Sequence, residues 1–238
     1  GNYRPVIGSI PGALKDNPDA TLRSLGLDIG IAEGIKKYGS GDLKFTPDSQ
    51  FDYVNVNWVL VHHILERVTG SSYATVLDEH VFGPSKMQNS GTYDFDLSNS
   101  TVANQDIAIG HNPNNPHHDG DYPTPAFVGG GTYTNAVDMI ALMHALYSGQ
   151  LMSPEKLRLF STVTSEEEDY TYGGRVTSYV GQSDQKYSWQ SGSNGATNMV
   201  AVHKIGGRFS FVAFSNHAHN QGDMFKLSRK IENILAAK

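Results

Sequence analysis

The sequence predicts an α+β fold in which an antiparallel sheet flanked by helices stands beside a mainly helical lobe, and three features carry that prediction. Segments of helical period dominate up to about residue 165. After Tyr170 the apolar period shortens from 3.6 to 2 in four successive runs, and one amphipathic helical segment closes the chain. Helices first, then a meander of strands and a terminal helix, is the order of an α+β domain and not of alternating βα units. The division expected is residues 1–165 as a helical, loop-rich lobe and residues 166–238 as strands plus the C-terminal helix.

Along the first fifty residues, Pro5, Gly8, Pro11, Gly12, Pro18, Gly39, Gly41 and Pro47 interrupt short helical patterns such as TLRSLG and IAEGIKKYG. Next, Trp58, Val61, His62, Leu65 and Val68 fall at helical spacing and Gly70 supplies a C′ stop, which predicts a helix over 56–69. SSYATVLDEHVFG follows as a second helical segment, with Ser71 or Ser72 as its N-cap. From 94 to 128 the pattern gives way to Asn, Asp, His and Pro, a long loop of the kind that compact domains keep for function. Thr134 or Asn135 then caps a helix whose apolar line is Val137, Ile140, Ala141, His144 and Leu146, ended by Gly149. Ser153 at the N-cap and Pro154 at the first helical position start another.

The four period-two runs are GGRVTSYVG, KYSWQSG, TNMVAVHKIGG and RFSFVAFSNHA, and Gly206-Gly207 marks a turn between the last two. In DMFKLSRKIENILAAK, Phe225, Leu227, Ile231, Ile234 and Leu235 are expected on one stripe.

Composition excludes several function classes. The chain has 238 residues, 38% of them hydrophobic, enough for a well-buried core without disulfide or metal. Eighteen Lys and Arg against 24 Asp and Glu give a net charge of −6, the wrong sign for a nucleic-acid partner. The absence of cysteine removes thiol catalysis and thiolate metal sites, and it assigns no compartment. No run of 18 apolar residues spans a membrane. Ten histidines invite a metal, above all HHDGD at 117–121 and His217 with His219, but no metal-ligand spacing such as HExxH occurs. A solvated polar loop accounts for the first cluster, and no metal or cofactor is expected. Gly129-Gly130-Gly131 lacks the Lys-Ser/Thr of a phosphate loop and points to close backbone approach.

Tyr53 and Asn55 stand two apart just before the first long helix. On extended backbone such a pair points the same way, and it either lines a cleft or forms the polar face of a turn.

An ordered series favours the first of these two. YVN, a helix ending in VTG, VFGP, GGGTYTNAVDMIALMHALYSG, LMSPE, a meander containing SWQSGSNG, and the strand FVAFSN resemble the serine β-lactamase and penicillin-binding-protein superfamily from about Leu22 onward. The branch holding class C β-lactamases, D-aminopeptidases and related esterases is the most similar. In that family an S-x-x-K serine attacks an acyl carbonyl, a Y-x-N tyrosine relays the proton, and a third motif on a strand positions the substrate. The resemblance implies that Tyr53 is the relay and that Asn55 orients nucleophile and substrate. Gln190, Ser191 and Gly192 become the third motif, and the Ser193 N–H becomes half of an oxyanion hole for a small acyl substrate.

Two departures qualify the match. Gln190 stands where the family has lysine or histidine, so this position supplies no cation. The family's S-x-x-K lies farther upstream of Y-x-N than the 52 residues preceding Tyr53. Ser153-Pro154-Glu155-Lys156 has the right letters, yet it reads as a helix cap on the wrong side of Tyr53. The expectation is therefore an N-terminally incomplete hydrolase, inactive without that nucleophile, whose last strand needs cover from the missing segment, a second copy or the terminal helix. The alternative is a nucleophile-free protein that binds peptide or cell-wall fragments. Relatives of this kind are often exported.

Overall fold

The four period-two runs form consecutive strands of one antiparallel sheet in the computed structural model, which describes residues 31–39, 41–92, 95–96, 101–102, 107–108, 110–111, 131–165, 168–178, 184–194, 197–217 and 221–236. The architecture is α+β, helices with antiparallel sheets. The chain divides into two compact units, Gly1–Leu77 with Gly91–Tyr133, and Asp78–Ser90 with Thr134–Lys238.

The first unit holds α1 (Ile31–Tyr38), α2 (Asn55–Thr69) and α3 (Tyr73–Leu77), with the two-stranded pairs β1 (Gly91–Thr92) with β4 (Thr132–Tyr133) and β2 (Phe95–Asp96) with β3 (Thr101–Val102). Gly70 ends α2 as expected: it takes φ 71°, a conformation open to glycine, and its N–H donates to Glu66 O at 2.9 Å. Ser72 is the N-cap of α3, its Oγ accepting from Thr75 N at 3.2 Å. The buried face of α2 matches the expected stripe only in part, at His62 and Leu65. Val59 is fully buried, whereas Val61 and Val68 are 46% and 79% exposed. Turned inward with Val59 are His62 and Glu66, three and seven residues on, and both are partnered. His62 Nε2 lies 3.4 Å from Glu66 Oε1, and Glu66 in turn accepts from Tyr73 N at 3.0 Å, satisfying a free donor at the start of α3. The His62 ring stacks on Tyr73 at 4.0 Å and 25°. Burial holds His62 below its ordinary pKa despite the opposing pull of Glu66, and burial raises Tyr73.

The second unit begins with a π-helical turn at Asp78–Phe82 and the short α4 (Gly83–Ser85), then α5 (Ala136–Tyr147) and α6 (Pro154–Phe160). Its sheet runs in chain order through β5 (Val163–Ser165), β6 (Tyr170–Thr171), β7 (Gly174–Thr177), β8 (Tyr187–Asn194), β9 (Thr197–Lys204) and β10 (Ser210–Ser215), and α7 (Gln221–Ala236) closes the chain. β5 and β6 extend the expected meander to six strands. Asn135 caps α5, its Oδ1 accepting from Asp138 N at 2.8 Å. The expected apolar line holds at Ile140, Ala141 and Leu146, which are partly buried, but not at Val137, which is 76% exposed while Asp138 is buried. The Asp138 carboxylate is inside because it accepts from Asn89 N at 2.6 Å and Ser90 Oγ at 2.8 Å.

Register gives the sheet two distinct faces. On one, Tyr187, Val200 and Val202 form a fully buried cluster against Trp189, Phe209, Phe211 and, from α7, Met224 and Phe225. Each large side chain of this kind contributes about 1.5–3 kcal/mol on burial. The inward stripe of α7 is thus Met224, Phe225, Ser228 and Ile231, while Leu227, Ile234 and Leu235 of the expected stripe are exposed. Ser228 is fully buried, and its Oγ donates to Phe225 O at 2.7 Å. Glu232 anchors the same helix, with Oε1 accepting from Tyr187 OH and Lys204 Nζ, each at 3.0 Å. Across β6, β7 and β8 the Arg175 guanidinium lies over Tyr170 at 5.1 Å and Trp189 at 5.5 Å. On the opposite face, His203 meets Ser188 and Ser210 on neighbouring strands beneath Tyr147 of α5.

Among the described residues no helix is long and apolar enough to cross a membrane, and no group of three or more His, Asp or Glu is placed to hold a metal. The histidine-rich loop at 112–121, Gly129 and Gly130 lie outside the described residues.

Candidate functional site

In the first unit the chain from Phe51 to Val54 is non-helical, and Val54, with φ −141° and ψ 143°, leads into α2 without a side-chain cap. Tyr53 is on this extended approach, 45% exposed, its ring centroid 6.4 Å from that of Trp58 and tilted by 54°. Lys44 Nζ pairs with its neighbour Asp52 at 2.9 Å. Asn55 departs from the expectation of a shared extended segment: it is already the first residue of the helix.

The other candidates lie on β8 in the second unit. Gln190 to Ser193 are inside the strand, opposite Ala201, Val200, Met199 and Asn198 of β9, and not at a strand-end turn. Alternation puts Gln190 and Gly192 on the α5 face and Ser191 and Ser193 on the α7 face, so the four share no side-chain surface. What they share is an edge.

Which way that edge points follows from the ladder. The Lys186 carbonyl accepts from Ile205 N at 2.9 Å, so at Lys186 the backbone is turned toward β9. In an antiparallel pair this direction alternates residue by residue. Ser188, Gln190, Gly192 and Asn194 consequently bond β9, whereas the N–H and C=O of Tyr187, Trp189, Ser191 and Ser193 point toward β7. The β7 rungs join Thr177 to Tyr187, Val176 to Ser188 and Arg175 to Trp189, and then end. Past that point, among the described residues, no strand pairs with the Ser191 and Ser193 side of β8. Two backbone donors with fixed direction face outward there, Ser193 in an exposed position. Such donors bind a carbonyl oxygen, or the oxyanion it becomes, without reorganising.

Gln190 has a specific partner: its Nε2 donates to the Gly173 carbonyl. Sequence reading had no route to this contact, because it depends on the β7–β8 register.

The serine at 153 is accounted for. Its Oγ accepts from Lys156 N at 3.3 Å as the cap of α6, and Pro154 follows at the first helical position. A second string with the same spacing is Ser183-Asp184-Gln185-Lys186. Ser183 lies outside the described residues, and Lys186 is exposed just ahead of β8. Serine and lysine three apart face one another on a helix, and the described part of this segment is not helical.

The model for the Beta-lactamase family matches residues 9–236 of this chain. No curated protein matches it in sequence. Among solved structures, the fold is similar to a penicillin-binding protein from Bacillus halodurans, with a TM-score of 0.69 and 19% identity over 86% of this chain and 63% of that one. A D-stereospecific amidohydrolase from Streptomyces sp. gives a TM-score of 0.61 and 18% identity over 88% and 61% of the two chains. For D-amino acid amidase from Ochrobactrum anthropi the values are 0.66 and 16%, over 89% and 69%. This chain thus spans less than two thirds of the length of the first two. With the family model covering nearly its whole length, the chain belongs to the Beta-lactamase family, within the serine β-lactamase and penicillin-binding-protein superfamily.

Proposed function

We propose that this chain is the substrate-facing part of a serine hydrolase that transfers an acyl group to water from an ester, a D-amino-acid peptide or a β-lactam. Tyr53 is the proton relay and Asn55 the orienting amide. Gln190, Ser191, Gly192 and Ser193 make up the strand on which the acyl group lies, and the Ser193 N–H is one oxyanion donor. What supports this reading above all is the outward-facing Ser191 and Ser193 backbone beyond the end of β7.

This chain binds such ligands without being acylated. A covalent nucleophile divides the reaction into two easier steps, and oxyanion donors alone do not replace it. The cap bond of Ser153 favours this, as does the non-helical setting around Lys186. Intact-mass spectrometry after incubation with a chromogenic cephalosporin and a p-nitrophenyl ester is the test. The expected result is unmodified mass, and stoichiometric acylation at any serine overturns the reading. Among the described residues β10 is the last strand of the sheet, so further cover for it is proposed, from an upstream segment or a second copy. Sedimentation of the chain alone distinguishes the two, a dimer favouring the copy.

A further inference from the structure

The turn between β6 and β7 is held from several sides. Gly173 N–H is directed at both Phe160 O and Thr171 Oγ1, each at 3.0 Å, and Thr171 Oγ1 reaches Gly174 O at 3.2 Å. Neither glycine has room for a side chain: a Cβ on Gly173 would run into the Phe160 ring, and one on Gly174 into the Gln190 amide. Gly174 also has φ 121°, a conformation that L side chains rarely adopt.

This turn stops just where the ladder would otherwise continue. The rungs Thr177–Tyr187 and Arg175–Trp189 are those in which β7 and β8 face each other, so the next one in register would join Gly173 to Ser191. The Gly173 carbonyl, the acceptor that Ser191 N–H would need, is taken by Gln190 Nε2. We propose that Gln190 is a positioning residue that terminates the β7–β8 ladder and keeps the Ser191–Ser193 backbone open for an extended, amide-bearing acyl ligand. A neutral side-chain amide suits this task, since it donates to a carbonyl without placing a charge beside the edge. The identity of the ligand rests on the function proposed above, whereas the ladder-ending role does not.

Amide hydrogen exchange, read residue by residue by NMR on the whole chain, tests the role directly. In the wild type, Gly192 and Asn194 should be protected and Ser191 and Ser193 should exchange rapidly. In Gln190→Met, close in shape but without a donor, the Gly173 carbonyl is released. Ser191 exchange should then slow by about fivefold or more, the scale of one net backbone hydrogen bond. Gln190→Glu, which also cannot donate when ionised, should act in the same direction and stands in if the first variant fails to fold. A wild-type Ser191 as protected as Gly192, or no slowing in the folded variants, overturns the proposal. Titration with N-acetyl-D-phenylalaninamide separates the two parts: it should shift the Ser191 and Ser193 amides and bind several-fold more weakly to the variants. No shift in the wild type, with the exchange pattern as expected, overturns the ligand assignment and leaves the role of Gln190 standing.

Discussion

The ring of Tyr147 lies flat on that of His203, with centroids 3.9 Å apart and planes within 12° of parallel. His203 is buried, and its Nδ1 is 2.9 Å from Ser210 Oγ. Burial first, and the neighbouring His144 second, push its pKa down to about 4. Burial also raises Tyr147, against a hydrogen bond with Ser188 that pulls the other way. His203 is therefore neutral in the folded chain at neutral pH.

A folded-state pKa of about 4 against 6.5 unfolded means that the unfolded chain binds the extra proton between those values. Stability from this group is fully present above pH 6.5, falls as pH drops through the window, and levels off below about 4. The loss is up to about 3 kcal/mol. Urea unfolding between pH 7 and 4 should show this slope, and His203→Gln should flatten it while lowering stability at pH 7.

Asp138→Ala should destabilise the second unit by about 2–4 kcal/mol, because it removes a buried acceptor and strands the donors of Asn89 and Ser90. Asp138→Asn keeps one acceptor oxygen and should cost less. Comparing the two midpoints in denaturant separates loss of charge from loss of acceptor.

The serine–lysine string at 153–156 makes a prediction about stability and none about binding. Ser153→Ala should cost about 1 kcal/mol, as expected for an N-cap. Ligand-induced amide shifts at Ser191 and Ser193 should be unchanged in that variant. A loss of ligand response without loss of stability would contradict the capping assignment.

Glu232→Leu removes the acceptor shared by Tyr187 OH and Lys204 Nζ and should cost about 2 kcal/mol. Tyr187→Phe leaves Lys204 with Glu232 and should cost about 1 kcal/mol. Chemical denaturation of the two single variants and the double variant yields the coupling between them, expected to be well above zero for groups sharing one oxygen.

Caps and strand runs were legible because they depend on local chemistry. Ser72, Asn135, Ser153 and Gly70 each satisfy backbone groups within a few residues, and β7 to β10 alternate for long enough to show a period of two. β5 and β6, three and two residues long, are too short to display any period. Helix existence was readable from spacing, but the buried face was not. On α2 and α5 the inward positions include His62, Glu66 and Asp138, whose partners come from neighbouring segments. A polar side chain enters a core when an acceptor or donor awaits it, and composition alone does not announce that. Tyr53 and the SWQSGSN strand became candidates through the ordered series. The outward backbone of Ser191 and Ser193 came only with the register.

The sheet of the second unit has a kinetic consequence. Its strands lie side by side in the order in which they are translated, β5 through β10, so each pairing closes only a short loop. Contacts between near neighbours in sequence make for fast assembly. Of the folding events in this chain, the pairing of β8 with β9 should be among the earliest, ahead of any contact that must wait for distant residues to meet.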